Sequence, residues 1–250
     1  GGLISDELLI SKEKVELSAT ICKTDLISEI VGEFPELQGV MGGHLSHVQG
    51  FDKEIAEAVK EQYLPIGPDS VVPKKPYSIA LSLADKIDTL TGFFGVSEKP
   101  SSSKDPYALR RVALGIIRII IENKKDINVN DLILCSHNIY LDQGQKFSND
   151  TVIKDISIFL KDRFRYYSKE KNIRHDIIDS ATKILDLNKL STVYEKSRSL
   201  NKIINKKIDE DIVSTYKRAF NILNSEIKNL DKDLSNTTDP GIFKNDFEKA

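Results

Sequence analysis

Asp105-Pro106-Tyr107-Ala108-Leu109-Arg110-Arg111-Val112-Ala113-Leu114-Gly115-Ile116-Ile117-Arg118-Ile119-Ile120-Ile121-Glu122 is the stretch that decides the fold. Asp followed by Pro has the chemistry of an N-cap and a first-turn residue, so the segment predicts a strong helix from Asp105 to about Glu122. At 3.6 residues per turn Leu109, Val112, Ala113, Ile116 and Ile120 share one arc, while Arg111 and Arg118 lie together on the opposite side. Such a helix needs apolar partners, and its two guanidiniums are expected to point outward, toward phosphate or merely toward solvent. Gly115 falls near that cationic side, where another backbone can approach closely. Arg110 sits at the edge of the apolar arc, where its stem packs and its head needs an acidic partner.

The surrounding chain has the same period, and almost no segment alternates with period two over a useful length. The expectation is an all-α fold. On the N-terminal side a helix is predicted from Ser11 to about Val31, ended by Gly32, then a short one from Pro35 to Val48. Asp52 is placed to cap a third, running to Tyr63-Leu64. A loop with Pro65, Gly67, Pro68, Pro73 and Pro76 precedes a helix from Tyr77 to Phe94, with Ile79, Leu83, Ile87, Leu90 and Phe94 on one stripe. Beyond Asn123 further helices are expected near 130–140, 150–170, 173–186, 189–207 and 210–230. A domain boundary is expected where apolar spacing thins, between Asn188 and Lys207.

Composition sets limits. The 250 residues are 40% hydrophobic and 30% charged, enough for one large or two modest helical cores. A formal net charge of −2 argues against a wholesale polyanion binder, so any nucleic-acid contact must be local. Between Lys161 and Lys228 there are 16 Lys and Arg against 10 Asp and Glu, which leaves the N-terminal part acidic. Cys22 and Cys135 stand far apart with no zinc-like spacing, and read as reduced and buried. No apolar run approaches the ~18 residues of a membrane span, and no signal-peptide pattern opens the chain, so a cytoplasmic protein with no membrane partner is expected. The start at Gly1-Gly2-Leu3 without methionine and the helix-like end at 243–250 suggest a piece of a longer protein.

Three blocks carry more information than the periodicity does. They are Cys22-Lys23-Thr24-Asp25-Leu26 through Val31-Gly32-Glu33-Phe34-Pro35-Glu36-Leu37-Gln38-Gly39-Val40-Met41-Gly42; Ala80 through Ala84-Asp85-Lys86-Ile87-Asp88-Thr89-Leu90; and Ser103-Lys104-Asp105-Pro106-Tyr107-Ala108-Leu109-Arg110-Arg111 onward to Arg118. In order and spacing they resemble the beta subunit of the bacterial heterotetrameric (α2β2) glycyl-tRNA synthetase. The resemblance is strong over residues 15–125 and weaker over 150–225, where Asp162-Arg163-Phe164 and Lys217-Arg218-Ala219-Phe220 carry it. It implies an HD-type helical domain over 1–190, then a linker and the start of a helical anticodon-binding domain over 191–250. It also implies a tRNA-binding role beside an alpha subunit that activates glycine with ATP and Mg, with glycine tRNA as the other partner. The chain itself is expected to hold no catalytic residue and no cofactor, since it has no glycine-rich phosphate loop followed by Lys-Ser or Lys-Thr.

HD-type phosphohydrolases hold metal through a His, a His-Asp dipeptide and a distant Asp. No His-Asp stands at Val48-Gln49, where some relatives of this subunit carry it. His44 lies on a stripe with Leu37, Val40, Met41 and Val48, and a core or half-buried histidine is the plainer reading than a metal ligand. Asp85 and Asp88 share the polar side of their helix, with ion pairing favoured over metal binding. Arg163 falls on an apolar stripe with Ile156, Phe159, Leu160 and Tyr167, and is expected to bridge to an acidic group between helices. Lys104, Arg111, Arg118, Arg165, Lys217 and Arg218 are the candidate tRNA contacts, and Arg110 and Arg163 the candidate structural ion pairs. Tyr166 and Tyr167 suit RNA stacking in principle, with core packing favoured. The alternatives are a metal-dependent HD-type phosphohydrolase, for which His44 and Asp85 are weak ligands, and a helical scaffold that only joins subunits.

Overall fold

The computed structural model describes residues 2–101, 103–147, 151–204 and 209–229, with side chains of the last helix described over 214–225. Every regular element among them is an α-helix or a 3₁₀ turn, as the period predicts. The helices are α1 (Gly2–Leu8), α2 (Lys12–Ile21), α3 (Glu29–Glu33), α4 (Val40–Val48), α5 (Lys53–Glu61), α6 (Pro76–Gly95), α7 (Leu109–Glu122), α8 (Val129–Asp142), α9 (Val152–Glu170), α10 (His175–Lys183), α11 (Leu190–Ile204) and α12 (Asp209–Asn229). The expected helix end at 243–250 lies outside the described residues.

The centre is α6 with α7. Helix α6 packs on α5, α7, α8 and α9, and its stripe of Ile79, Leu83, Ile87, Leu90 and Phe94 is buried throughout. Ile116, Ile117, Ile119 and Ile120 of α7 are all fully buried, on a broad apolar face turned to the core. The start of α7 differs from the expectation. Ala108 takes a left-handed conformation (φ 53°), and the helix begins at Leu109. Asp105 still caps it, from across the turn, accepting from the Leu109 and Arg110 backbone N–H groups at 2.8 and 3.0 Å.

The N-terminal segments are shorter than predicted. The helix from Ser11 stops at Ile21, and a 3₁₀ turn over Thr24–Ile27 leads to α3. The break serves Asp25, whose buried carboxylate reaches the start of α4 and accepts from Gly39 N at 2.6 Å and Gly42 N at 3.0 Å. A negative group at a helix N-terminus satisfies orphan donors there. Helix α4 overturns the expectation for His44. Its buried side is Gly42, Gly43 and Ser46, while His44 is exposed and Val48 is 83% exposed. A Cβ on Gly43 would lie 2.7 Å from the Ala56 carbonyl oxygen, so α5 approaches too closely for any larger residue. A face of glycines leaves no apolar stripe to read.

Two compact units emerge, Gly1–Asn201 and Lys202–Ala250. The division falls within the stretch from Asn188 to Lys207, and α11 is tied to the first unit. Asp126 accepts from Ser191 N at 2.8 Å, the Tyr194 ring packs tilted against Tyr167 with centroids 5.4 Å apart, and Asn201 accepts from Arg174 N at 2.9 Å. In the second unit the described side chains of α12 are all exposed. None of the described helices is long and apolar enough to cross a membrane.

Candidate functional site

The loop from Pro65 to Pro73 crosses the side of α7 that was expected to face outward, and it decides the fate of Arg118. That guanidinium is buried; it donates to the Gly67 carbonyl at 2.9 Å, to the Ser70 carbonyl at 2.7 Å and to Glu122 Oε1 at 2.6 Å. Asn123 adds a bond to the Pro73 carbonyl at 3.0 Å. The outward placement of Arg118 is therefore wrong. Its donors are spent on loop carbonyls that would otherwise stay unpaired under the protein surface. Gly115, one turn before, faces Lys86. A Cβ there would meet Lys86 Cε at 2.8 Å, so the glycine makes room for a lysine of the same chain.

Lys86 is buried and donates to Ser82 Oγ at 2.9 Å and to the Tyr63 carbonyl at 3.3 Å. Burial pushes its ammonium down from the usual lysine range to about 8, with the Asp85 charge opposing the shift. Asp85 itself is bound by Lys23 at 2.5 Å. Burial works against the charge on Lys23, but Asp85 and the Tyr63 hydroxyl together override it and leave its pKa raised. Asp88 takes a hydrogen bond from Tyr140, and burial raises both groups, Tyr140 to about 12. Each carboxylate of the Asp85 and Asp88 pair thus has a partner from the protein, which agrees with the ion-pairing reading for Asp85. An HD-type metal does not fit these residues. Lys23 occupies the Asp85 carboxylate, His44 faces outward on another helix, and among the described residues no three His, Cys, Asp or Glu side chains gather.

Arg110, Arg111 and Arg163 come together at the start of α7. Arg111 is exposed, has no ion-pair partner among the described residues, and lies where two cavities meet. One, of about 330 Å³, is lined by Gln38, Tyr63, Asp85 and Lys86. The other, of about 420 Å³, is lined by Asp105, Arg110, Arg111, Arg163 and Tyr166. Arg110 has the acidic partner expected of it, Asp105 at 3.8 Å, and also donates to the Ser101 carbonyl. Arg163 does not bridge to an acid among the described residues. Its guanidinium stands 5.7 Å from the ring centroids of both Phe159 and Tyr166, and its buried Nε has no hydrogen-bond partner there. Aromatic faces take the place of the carboxylate.

The other candidates are scattered. Arg165 is exposed and paired with Asp162 at 3.0 Å. Lys104 is exposed in the turn before α7 and lines neither cavity. Lys217 and Arg218 are exposed on α12, in the second unit. Of the tyrosines, Tyr167 is buried and Tyr166 is 48% exposed. Cys22 is buried and Cys135 half-buried, both free thiols. Lys23, Lys86 and Tyr63 were not singled out from the sequence, because their partners lie far away along the chain.

Fold and site together define an all-helical module in which Asp85 and Asp88 have partners from the protein and Arg110, Arg111 and Arg163 line one cavity at the start of α7. The model of the family described as glycyl-tRNA synthetase beta subunit matches residues 2–183. Similar curated proteins are the glycine–tRNA ligase beta subunits of Rhodospirillum centenum, 37% identical over 95% of this chain and 32% of the relative, and of Cereibacter sphaeroides, 36% identical over 93% and 33%. That of Rickettsia canadensis is 41% identical over 93% of this chain and 33% of the relative. The chain belongs to the glycyl-tRNA synthetase beta subunit family. It spans about a third of the length of those relatives.

Proposed function

We propose that this chain is a tRNA-handling part of the beta subunit of a glycine–tRNA ligase, with glycine activated elsewhere, on a separate alpha subunit, using ATP and Mg. Membership of the family carries this reading. In it, residues 1–190 are an HD-type helical domain that has lost its metal chemistry, and 191–250 lead into a helical anticodon-binding domain. The holoenzyme is a heterotetramer working in the cytoplasm on glycine tRNA. The contact is local, because a formal net charge of −2 leaves no diffuse positive field. Arg111 is its centre, with Lys104, Arg165, Lys217 and Arg218 as further cations, whereas the engagement of Arg118 by Gly67, Ser70 and Glu122 argues for leaving it out.

The test is a salt titration of glycine-tRNA binding. With few phosphates neutralised, log affinity should fall with log salt at a slope of magnitude about 2–4, and Arg111→Ala should lower that slope by about one. Absence of tRNA binding even at low salt would overturn the reading. Glycine-dependent exchange of pyrophosphate into ATP by the chain alone would move the activation site into it.

A further inference from the structure

We infer that the cavity between α7 and α9 receives one unpaired nucleotide of RNA, its phosphate between Arg111 and Arg163 and its base stacked on Tyr166. The inference rests on the tRNA reading and adds a site and a ligand chemistry to it. The first ground is charge. The cavity is lined by Arg110, Arg111 and Arg163 against one carboxylate, Asp105. That carboxylate is committed to Arg110 and to two backbone N–H groups at the start of α7. Arg111 and Arg163 therefore bring two positive charges to one space with no carboxylate between them among the described residues. Like charges so placed repel, and an anion between them reverses the sign of the interaction.

The second ground is the donor set. A guanidinium is a planar fork that binds phosphate oxygens in pairs. Arg163 stands 5.7 Å from the ring centroids of Phe159 and Tyr166, with its Nε buried and without an acceptor among the described residues, so it has hydrogen-bonding capacity left for a ligand. The third ground separates a nucleotide from a bare anion or an acidic side chain. Tyr166 stands on the cavity wall 48% exposed, and aromatic faces beside arginine planes are the surfaces on which splayed RNA bases stack. The cavity volume of about 420 Å³ is in the ~300–1,000 Å³ range of small-ligand pockets, more than a lone phosphate needs. A base already paired and stacked in a helix has no free face, so the nucleotide comes from a loop or an end.

The experiment compares glycine-tRNA binding by the parent protein, Tyr166→Leu, Tyr166→Phe and Arg163→Gln, each with a thermal melt. Loss of one stacked base should weaken binding by about fivefold to a hundredfold in Tyr166→Leu, with the salt slope unchanged, and Tyr166→Phe should bind as the parent does. Arg163→Gln should lower the slope by about one. A single-stranded oligoribonucleotide should compete with the tRNA, and a fully paired RNA duplex should not. Parent-like binding by Tyr166→Leu and Arg163→Gln would overturn the cavity site while leaving the tRNA reading intact. Equal competition by the duplex, or by polyglutamate, would overturn the nucleotide as occupant. If the parent binds no tRNA, the broader reading fails first; direct titration with the single-stranded oligonucleotide then decides the cavity, supporting it if binding depends on Tyr166 and overturning it if there is none.

Discussion

Arg111 and Arg118 leave the same side of α7, two turns apart, and end in opposite surroundings. Around Arg118 the loop from Pro65 to Pro73 closes over the helix, and every guanidinium nitrogen is engaged by Gly67, Ser70 or Glu122. Around Arg111 no such loop closes among the described residues, and the side chain is exposed between two cavities. The lesson is that the polar face of a helix is not one environment. A loop that covers one end turns its arginine into a structural clamp and leaves the other free to meet a ligand.

Unfolding of point variants puts that contrast at risk. Arg118→Ala should show the largest effect, a loss of about 2–4 kcal/mol in urea unfolding, because it strips two buried carbonyls and Glu122 of their partner. The loop should then become more open to proteolysis. If Arg118→Ala cost no more than Arg111→Ala, the two regions would not differ as described.

Lys86 sits between them, its stem against Gly115, and sharpens the comparison through pH. Its pKa is lowered in the folded state to about 8 from an ordinary 10.5. Below pH 8 both states carry the proton and the fold bears the full burial penalty. As pH rises from about 8 toward 10.5 the unfolded chain holds a proton that the folded side chain has released, so stability rises. Relative to Lys86→Met, the parent should gain up to about 3 kcal/mol across that window, from the shift of roughly 1.4 kcal/mol per pKa unit. A difference between the two proteins that stays flat from pH 7.5 to 10 would mean that Lys86 is not desolvated. The smallest effect is expected of Arg111→Ala, under about 0.5 kcal/mol in the same urea experiment, as for other exposed substitutions. A loss above 1 kcal/mol would show that Arg111 has a structural partner.

Much of the fold was legible in the sequence, and the failures share a cause. The stripe of α6 and the helices near 130–140 and 150–170 follow from apolar spacing, because a large buried side chain leaves a periodic mark. Helix α4 leaves none, since its packed side is Gly42, Gly43 and Ser46, and the apolar stripe through Val48 pointed the wrong way. At the candidate site, the outward Arg111 and the need of Arg110 for an acidic partner were legible from α7's own pattern, whereas the choice of Asp105 as that partner was not. Arg163 was not, because a cation on an apolar stripe can be answered by rings as well as by a carboxylate.

By itself the sequence determined the all-helical class, the central helices and, through its three long blocks, the family. These depend on local periodicity or on long runs of residue identity. Only the tertiary structure decided which cations are open. Arg118 is answered by Gly67 and Ser70, 51 and 48 positions away, and Asp85 by Lys23, 62 positions away. A helix's own residues set the direction in which each side chain leaves it. What stands in that direction is supplied by distant chain, and in a packed interior that neighbour fixes whether a charge is a clamp, a pair or a free hand for a phosphate.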